Sequence, residues 1–287
     1  MNKKITPRVI KMIVIQSFIL IIAVTTVGAA VNVHNEYKNT GKVQTEITTI
    51  PGVTTTNNSE EMSKNEETTA ATSPEKTTVN SNYEYSYAGF TPKTINITAD
   101  TPLSKVLLNG SNVLPKGYEP TLAEAVKGSG VYLDYRVAPF YQAMYDKALE
   151  DGITLNPVSG YRSYELQTNN FENFIDEIME NQGLDRTKAT VKAATEIMIP
   201  GGSEHNAGLA MDIGSLSESF EDTDEFAWLS ENAADYGFIL RYPKDEKSRG
   251  ITKVVYEPWH YRFVGVETAK DIKNKGVTLE EYLGAAN

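Results

Sequence analysis

What most limits the folds open to this chain is where its large apolar residues are missing. From Asn35 to Asn82, Thr, Ser, Asn, Glu and Lys dominate, as in Thr54-Thr55-Thr56-Asn57-Asn58-Ser59-Glu60-Glu61. Such a segment buries too little surface to offset the entropy of ordering it, so the expectation is a disordered spacer. Any packed core must come from the residues C-terminal to it. Tyr83-Glu84-Tyr85-Ser86-Tyr87-Ala88-Gly89 is rich in aromatics and either packs on the folded domain or ends the spacer. The expected division is an export segment at 1–34, a polar spacer at 35–94 and one folded domain at 95–287.

Ahead of the spacer, Lys3, Lys4, Arg8 and Lys11 precede a charge-free stretch from Met12 to Val33. At roughly 20 residues it is long enough to cross a bilayer as a helix. The basic flank places the N-terminus in the cytoplasm and the remainder outside. Val27-Gly28-Ala29-Ala30 offers small residues for cleavage, which would make the segment a removable signal peptide. The apolar run is longer than a usual signal core, which favours a retained membrane anchor. The formal net charge of -11 repels a phosphate backbone, so nucleic acid is not expected as a partner. It also gives no general attraction to anionic lipid, leaving membrane contact to the N-terminal segment.

The folded region alternates helical and strand-like patterns. Ala138–Leu149 carries Phe140, Met144 and Ala148 at helical spacing, with Tyr141 and Tyr145 beside them and Pro139 in the first turn. Ser163 suits the N-cap of a helix through Met179, with Phe171, Phe174, Ile175 and Ile178 on one face and Gly183 beyond its end. Further helices are expected at Thr187–Met198, stopped by Pro200-Gly201-Gly202, and at Asp224–Tyr236, ended by Gly237. Thr278-Leu279-Glu280-Glu281 reads as a capping box for a short last helix. Strands are expected at Ile153–Ser159, Leu209–Ile213, Phe238–Tyr242 and Val254–His260. The order is not a regular βαβ repeat, so the expected class is α+β: a small antiparallel sheet with helices around it.

The chain has no cysteine, so a metal site must be built from His, Asp or Glu, and its three histidines are His34, His205 and His260. His34 opens the spacer with no partner ligand nearby and reads as solvated. The other two fall in Ser203-Glu204-His205-Asn206-Ala207-Gly208-Leu209-Ala210-Met211-Asp212 and Glu257-Pro258-Trp259-His260. A catalytic zinc site needs three protein ligands, an open position and a base that is not itself a ligand. His205, Asp212 and His260 can be the ligands and Glu257 the base. Gly208 lets the chain turn between His205 and Asp212. In a strand over Leu209–Ile213, Asp212 and Ala210 share one face while Leu209, Met211 and Ile213 point to the core.

These segments resemble the VanY-type D-alanyl-D-alanine carboxypeptidases, relatives of the VanX dipeptidases with a hedgehog/DD-peptidase-like fold. The family pattern, Ser-x-His-x-x-Gly-x-Ala-x-Asp followed by Glu-x-Trp-His, is met in full. Ser159-Gly160-Tyr161-Arg162-Ser163 with Gln167, Phe238-Ile239-Leu240-Arg241-Tyr242-Pro243, and Tyr261-Arg262-Phe263-Val264-Gly265 agree as well, and Leu107–Leu122 agrees more loosely. The resemblance implies zinc on His205, Asp212 and His260, and Glu257 as general base. It implies Arg162 near the scissile bond, stabilising the oxyanion or binding the terminal carboxylate, and Gln167 and Ser203 on the terminal D-alanine. Asn206-Ala207 stands where Gln-Thr is commoner, and Lys253-Val254 where Gly-Tyr is expected.

The activity so implied is removal of the terminal D-alanine from peptidoglycan stem peptides outside the membrane, with no Ser or Cys nucleophile. Ser159 and Ser163 flank Arg162 but lack a nearby base, so turn and cap are their better roles. The same centre would also serve an L,D-carboxypeptidase or a wall endopeptidase. A non-catalytic wall-binding module is the rival of another class, and Glu257 argues against it, since binding needs no unliganded carboxylate there.

Overall fold

The computed structural model describes residues 87–286. The membrane segment expected at 1–34 and most of the expected spacer lie outside the described residues. Among those described, no helix is long and apolar enough to cross a membrane. The elements are, in order, strands β1 (Lys93–Thr94), β2 (Asn112–Val113), β3 (Leu122–Glu124) and β4 (Tyr132–Asp134), helix α1 (Ala138–Glu150), β5 (Pro157–Ser159), α2 (Tyr164–Gln182), α3 (Arg186–Ala193), β6 (Ala210–Ile213), α4 (Asp224–Asn232), β7 (Phe238–Leu240), α5 (Glu246–Thr252), β8 (His260–Phe263), α6 (Val266–Lys275) and α7 (Leu279–Tyr282). It is a mixed fold of small sheets and helices.

The central sheet has four strands in the order β5-β6-β8-β7, and every pairing in it is antiparallel. One face is fixed by alternation: Leu209, Met211 and Ile213 enter the main core with Tyr261, Phe263 and Phe238 from the neighbouring strands. Asp212 is thereby left on the opposite face, level with His260 on β8. A slip of one residue would exchange these faces, so the core that buries Met211 also sets where Asp212 points. A two-stranded parallel pair, β1 with β2, departs from the antiparallel expectation.

Helix α1 closes the core with Ala138, Tyr141, Met144 and Ala148. Phe140, at the same helical spacing, is 39% exposed, its ring resting on Phe263 at 4.8 Å. Helix α2 starts and stops as its ends dictate. The Ser163 side chain accepts from the Leu166 amide, and Gly183 takes the left-handed cap at φ 65°. Phe171, Ile175 and Ile178 then pack with Ala189 and Ala193 of α3 in a second core cluster.

Several boundaries differ from expectation. The domain begins before residue 95, because Tyr87 meets Phe171 edge-on at 5.0 Å, Phe90 packs on the second cluster and β1 pairs with β2. Helix α3 stops at Ala193 rather than Met198; beyond it the Thr195 carbonyl accepts from Val255 N at 2.9 Å. The strand expected over Val254–His260 begins only at His260. Pro258 has no N–H to donate, and the chain turns there, His260 N bonding Glu257 O at 3.2 Å. The helix expected to Tyr236 tightens into a 3-10 turn at Ala233–Tyr236. Helices α5 and α6 and the β3–β4 pair were not evident in the sequence.

A candidate metal centre

His205 sits in a 3-10 turn, Glu204–Ala207, closed by Gly208 at φ 65°. A side chain on Gly208 would collide with the backbone of Asp134. Glycine is needed here both for that approach and for the left-handed turn. The His205 Nδ1–H donates to Gly160 O at 2.7 Å, which leaves Nε2 facing Asp212 Oδ2 at 3.3 Å. His260 is turned the other way. Its Nε2–H donates to Glu204 Oε2 at 3.2 Å, and Nδ1 lies 3.1 Å from Asp212 Oδ1. The two rings meet edge-on, centroids 5.0 Å apart.

One nitrogen of each imidazole and one oxygen of Asp212 therefore converge, all within 4.8 Å of one another and all on buried residues. Each histidine has its other nitrogen anchored by an oxygen, the outer support that fixes tautomer and aim in a metal ligand. Two nitrogens and a carboxylate suit a divalent cation of borderline softness with one position open. Charge agrees. Burial would raise Asp212, yet His205 and His260 hold it well below the usual carboxylate range. Burial works against a charged His260, yet its bonds to Asp212 and Glu204 outweigh that and push it up to about 10. Asp212 so held is an anion, the form that binds a cation.

Glu257 stands beside this point, with Oε2 3.6 Å from His260 Nδ1. Burial pushes its carboxyl up to about 8, against the pull of His260 and Arg162. Arg162 approaches Asp212, Nη2 3.8 Å from Oδ2. Its guanidinium is steadied by Gln167 Oε1 at 2.8 Å and Ser159 Oγ at 3.1 Å. Gln167, expected to bind substrate, is placed beside Arg162. It is 0% exposed, and its amide nitrogen donates to Met198 O at 2.5 Å. Both its ends are engaged, and it holds Arg162. Ser203 is buried at the start of the His205 turn, where its hydroxyl makes no cap.

Two further residues support the centre and were not singled out for that in the sequence. Asn206 donates to Arg162 O at 2.7 Å and accepts from Gly201 N at 2.9 Å, tying the Arg162 loop to the His205 turn. Glu204 is 1% exposed. Its Oε1 accepts from Arg241 Nε at 2.8 Å and Arg262 Nη1 at 2.7 Å. It lies behind His260 and backs it.

The comparisons with known proteins place the chain among characterised enzymes. The family model described as VanY, D-alanyl-D-alanine carboxypeptidase, matches residues 130–266. A D-alanyl-D-alanine carboxypeptidase of Enterococcus faecalis (strain ATCC 700802 / V583) is 38% identical over 180 residues, 63% of this chain. The chain spans 65% of that relative's length. The VanY D,D-pentapeptidase of a VanB-type vancomycin resistance cassette, solved with Zn(II), superposes with a TM-score of 0.54 and 38% identity, over 63% of this chain and 99% of that one. The LdcB LD-carboxypeptidase gives a TM-score of 0.57 and 36% identity, over 68% of this chain and 91% of that one. With its residue pattern met in full and nearly the whole of a solved VanY enzyme covered at this identity, the chain belongs to the VanY D-alanyl-D-alanine carboxypeptidase family.

Proposed function

We propose that the domain is a zinc-dependent carboxypeptidase that releases the terminal D-alanine from peptidoglycan stem peptides outside the cell membrane. The observation that carries this reading is the convergence of His205, Asp212 and His260 with a separate buried carboxylate, Glu257, beside them. The zinc found with the related VanY enzyme supports the choice of metal. The three residues would hold the ion, whose contribution when bound is Lewis acidity toward the scissile carbonyl and toward water.

The chain supplies the rest. Glu257 takes a proton from the attacking water as its oxygen bonds to the carbonyl carbon, and passes it to the D-alanine nitrogen as the C–N bond breaks. Arg162, held by Gln167 and Ser159, presents fixed N–H donors to the carbonyl oxygen as it gains charge, or to the terminal carboxylate. Ser203 stays assigned to the terminal D-alanine. The export segment and polar spacer support a domain on the outer side of the membrane, tethered or released according to whether the segment is cut.

The likeness to an LD-carboxypeptidase favours one second reading: the same centre acting on a tetrapeptide stem. Incubation with defined tri-, tetra- and pentapeptides decides. Release of D-alanine from the pentapeptide, abolished by chelation and restored by zinc, is the expected result. Release from the tetrapeptide alone would move the assignment to L,D cleavage. No release from either by zinc-loaded protein would sink both.

A further inference from the structure

The support of His260 does not end at Glu204. Arg241, in the residue after β7, places its guanidinium between two carboxylates. Nε reaches Glu204 Oε1 at 2.8 Å, while Nη1 and Nη2 grip both oxygens of Glu280 at 3.0 and 2.6 Å. The Arg241 and Glu204 side chains are fully buried, and that of Glu280 is nearly so. Arg262 completes the group, bonding Glu204 Oε1 with Nη1 and the carbonyls of Leu103 and Val106 with Nη2. Glu280 lies in α7, beyond the residues 130–266 that the family model matches.

We propose that Glu280 is a positioning residue for His260, acting through Arg241 and Glu204, so that the last helix is part of the metal centre. The inference rests on the zinc reading of that centre. Two guanidiniums and two carboxylates balance in this buried group, leaving Glu204 Oε2 to accept from His260. Without the charge of Glu280, Arg241 keeps Glu204 as its one carboxylate and draws it away from His260 Nε2. The imidazole is then free to tilt, and Nδ1 loses its aim toward Asp212. An unpaired buried charge is costly, so the group relaxes rather than tolerates the loss.

The test uses the full chain. Zinc affinity is measured by competition with a chromophoric chelator, the cobalt(II) form gives a ligand-field spectrum, and melting is followed in the metal-free protein. Wild type must bind zinc first; if it does not, the zinc reading fails, and this inference with it. Given that binding, Glu204→Gln is expected to weaken zinc by about 10–100-fold, the usual effect of removing an outer partner of a ligand. Glu280→Gln, one step further out, is expected to weaken it by about tenfold and to alter the cobalt spectrum.

Glu281→Gln is the control. It lies in the same helix, where it closes the capping box and pairs with Lys247. It should lower the melting temperature yet leave zinc affinity and spectrum at wild-type values. Should Glu280→Gln not fold, Glu280→Asp, which keeps the charge but shortens its reach, takes its place with the same expected direction. A folded variant at Glu280 with wild-type zinc affinity and spectrum would overturn the proposal. So would a loss no larger than that of Glu281→Gln.

Discussion

Glu257 and His260 are three residues apart and are assigned different work, so their substitutions should separate. Glu257→Ala leaves all three ligands in place. The expected outcome is one zinc per chain by elemental analysis and a fall in kcat of about 10²–10⁴-fold, the contribution of a placed general base. His260→Ala removes a donor atom, and both zinc content and activity should fall. Arg162→Lys tests geometry rather than charge. The guanidinium is held by Gln167 and Ser159 while its Nη2 faces Asp212, and a single ammonium cannot make all three approaches. Zinc should stay bound and kcat/KM should drop about 10²-fold or more, the scale of losing one oriented donor. Wild-type turnover in Arg162→Lys would remove Arg162 from the chemistry. The candidate ligands were legible in the sequence because two of three histidines fall in short motifs with a carboxylate at fixed spacing. Glu204 was not legible in its supporting role. Its partners Arg241, Arg262 and His260 lie far along the chain, and no local pattern announces a contact of that range. The contact of Gln167 with Arg162 was not legible either, since the resemblance marks the residue without saying which neighbour it touches.

At the scale of elements, the ends were legible wherever a cap and a periodic face agreed. Ser163 with Gly183 bounds α2, and Thr278 with Glu281 forms the capping box of α7. Helix α6 escaped notice because it buries only Ala269 and Ile272 among its ten residues, too weak a stripe to set a period. Helix α5 was hidden by its polar sequence, and its end carries the departure at Lys253. That residue is the C-cap of α5 at φ 62°, ψ 18°, the one non-glycine with positive φ among the described residues. The family expectation of glycine here has a physical cause. A Cβ in the left-handed region costs roughly 1–2 kcal/mol, part of which glycine gives back through its freer unfolded chain. Lys253→Gly should therefore stabilise the domain by about 0.5–1 kcal/mol and raise its melting temperature by roughly 1–4 °C. The lysine also donates to Gly250 O, an exposed contact too weak to reverse the sign. A lowered melting temperature would mean that this contact, not backbone strain, dominates at the cap.

At the scale of the whole molecule, composition drew a border between spacer and domain but placed it too late. Lys93 and Thr94 are polar and exposed. Only their partner strand reveals them as part of the fold, and a pair of two-residue strands gives no periodicity to read. The border yields the last prediction. A chain beginning at Tyr83 keeps Tyr87 against Phe171, Phe90 in the second cluster and β1 beside β2. It should melt as the full chain does and cleave a soluble stem peptide at the same rate, because the spacer is assigned reach and no side chain of the centre. A chain beginning at Ile95 loses all three contacts. One aromatic pair and one half-buried aromatic are together worth roughly 2 kcal/mol, or about 4–8 °C of melting temperature in a domain of this size. Its zinc content and kcat at 25 °C should nevertheless match the longer form. The lost contacts fall on β2 and on α2 around Phe171, the latter a full turn and more beyond Gln167, while the candidate ligands stand on the central sheet and the turn before it. Equal melting of the two chains would mean that 87–94 rest on the domain without stabilising it. A drop in zinc affinity with the shorter chain would instead extend the support of the centre along α2, through Gln167 to Arg162.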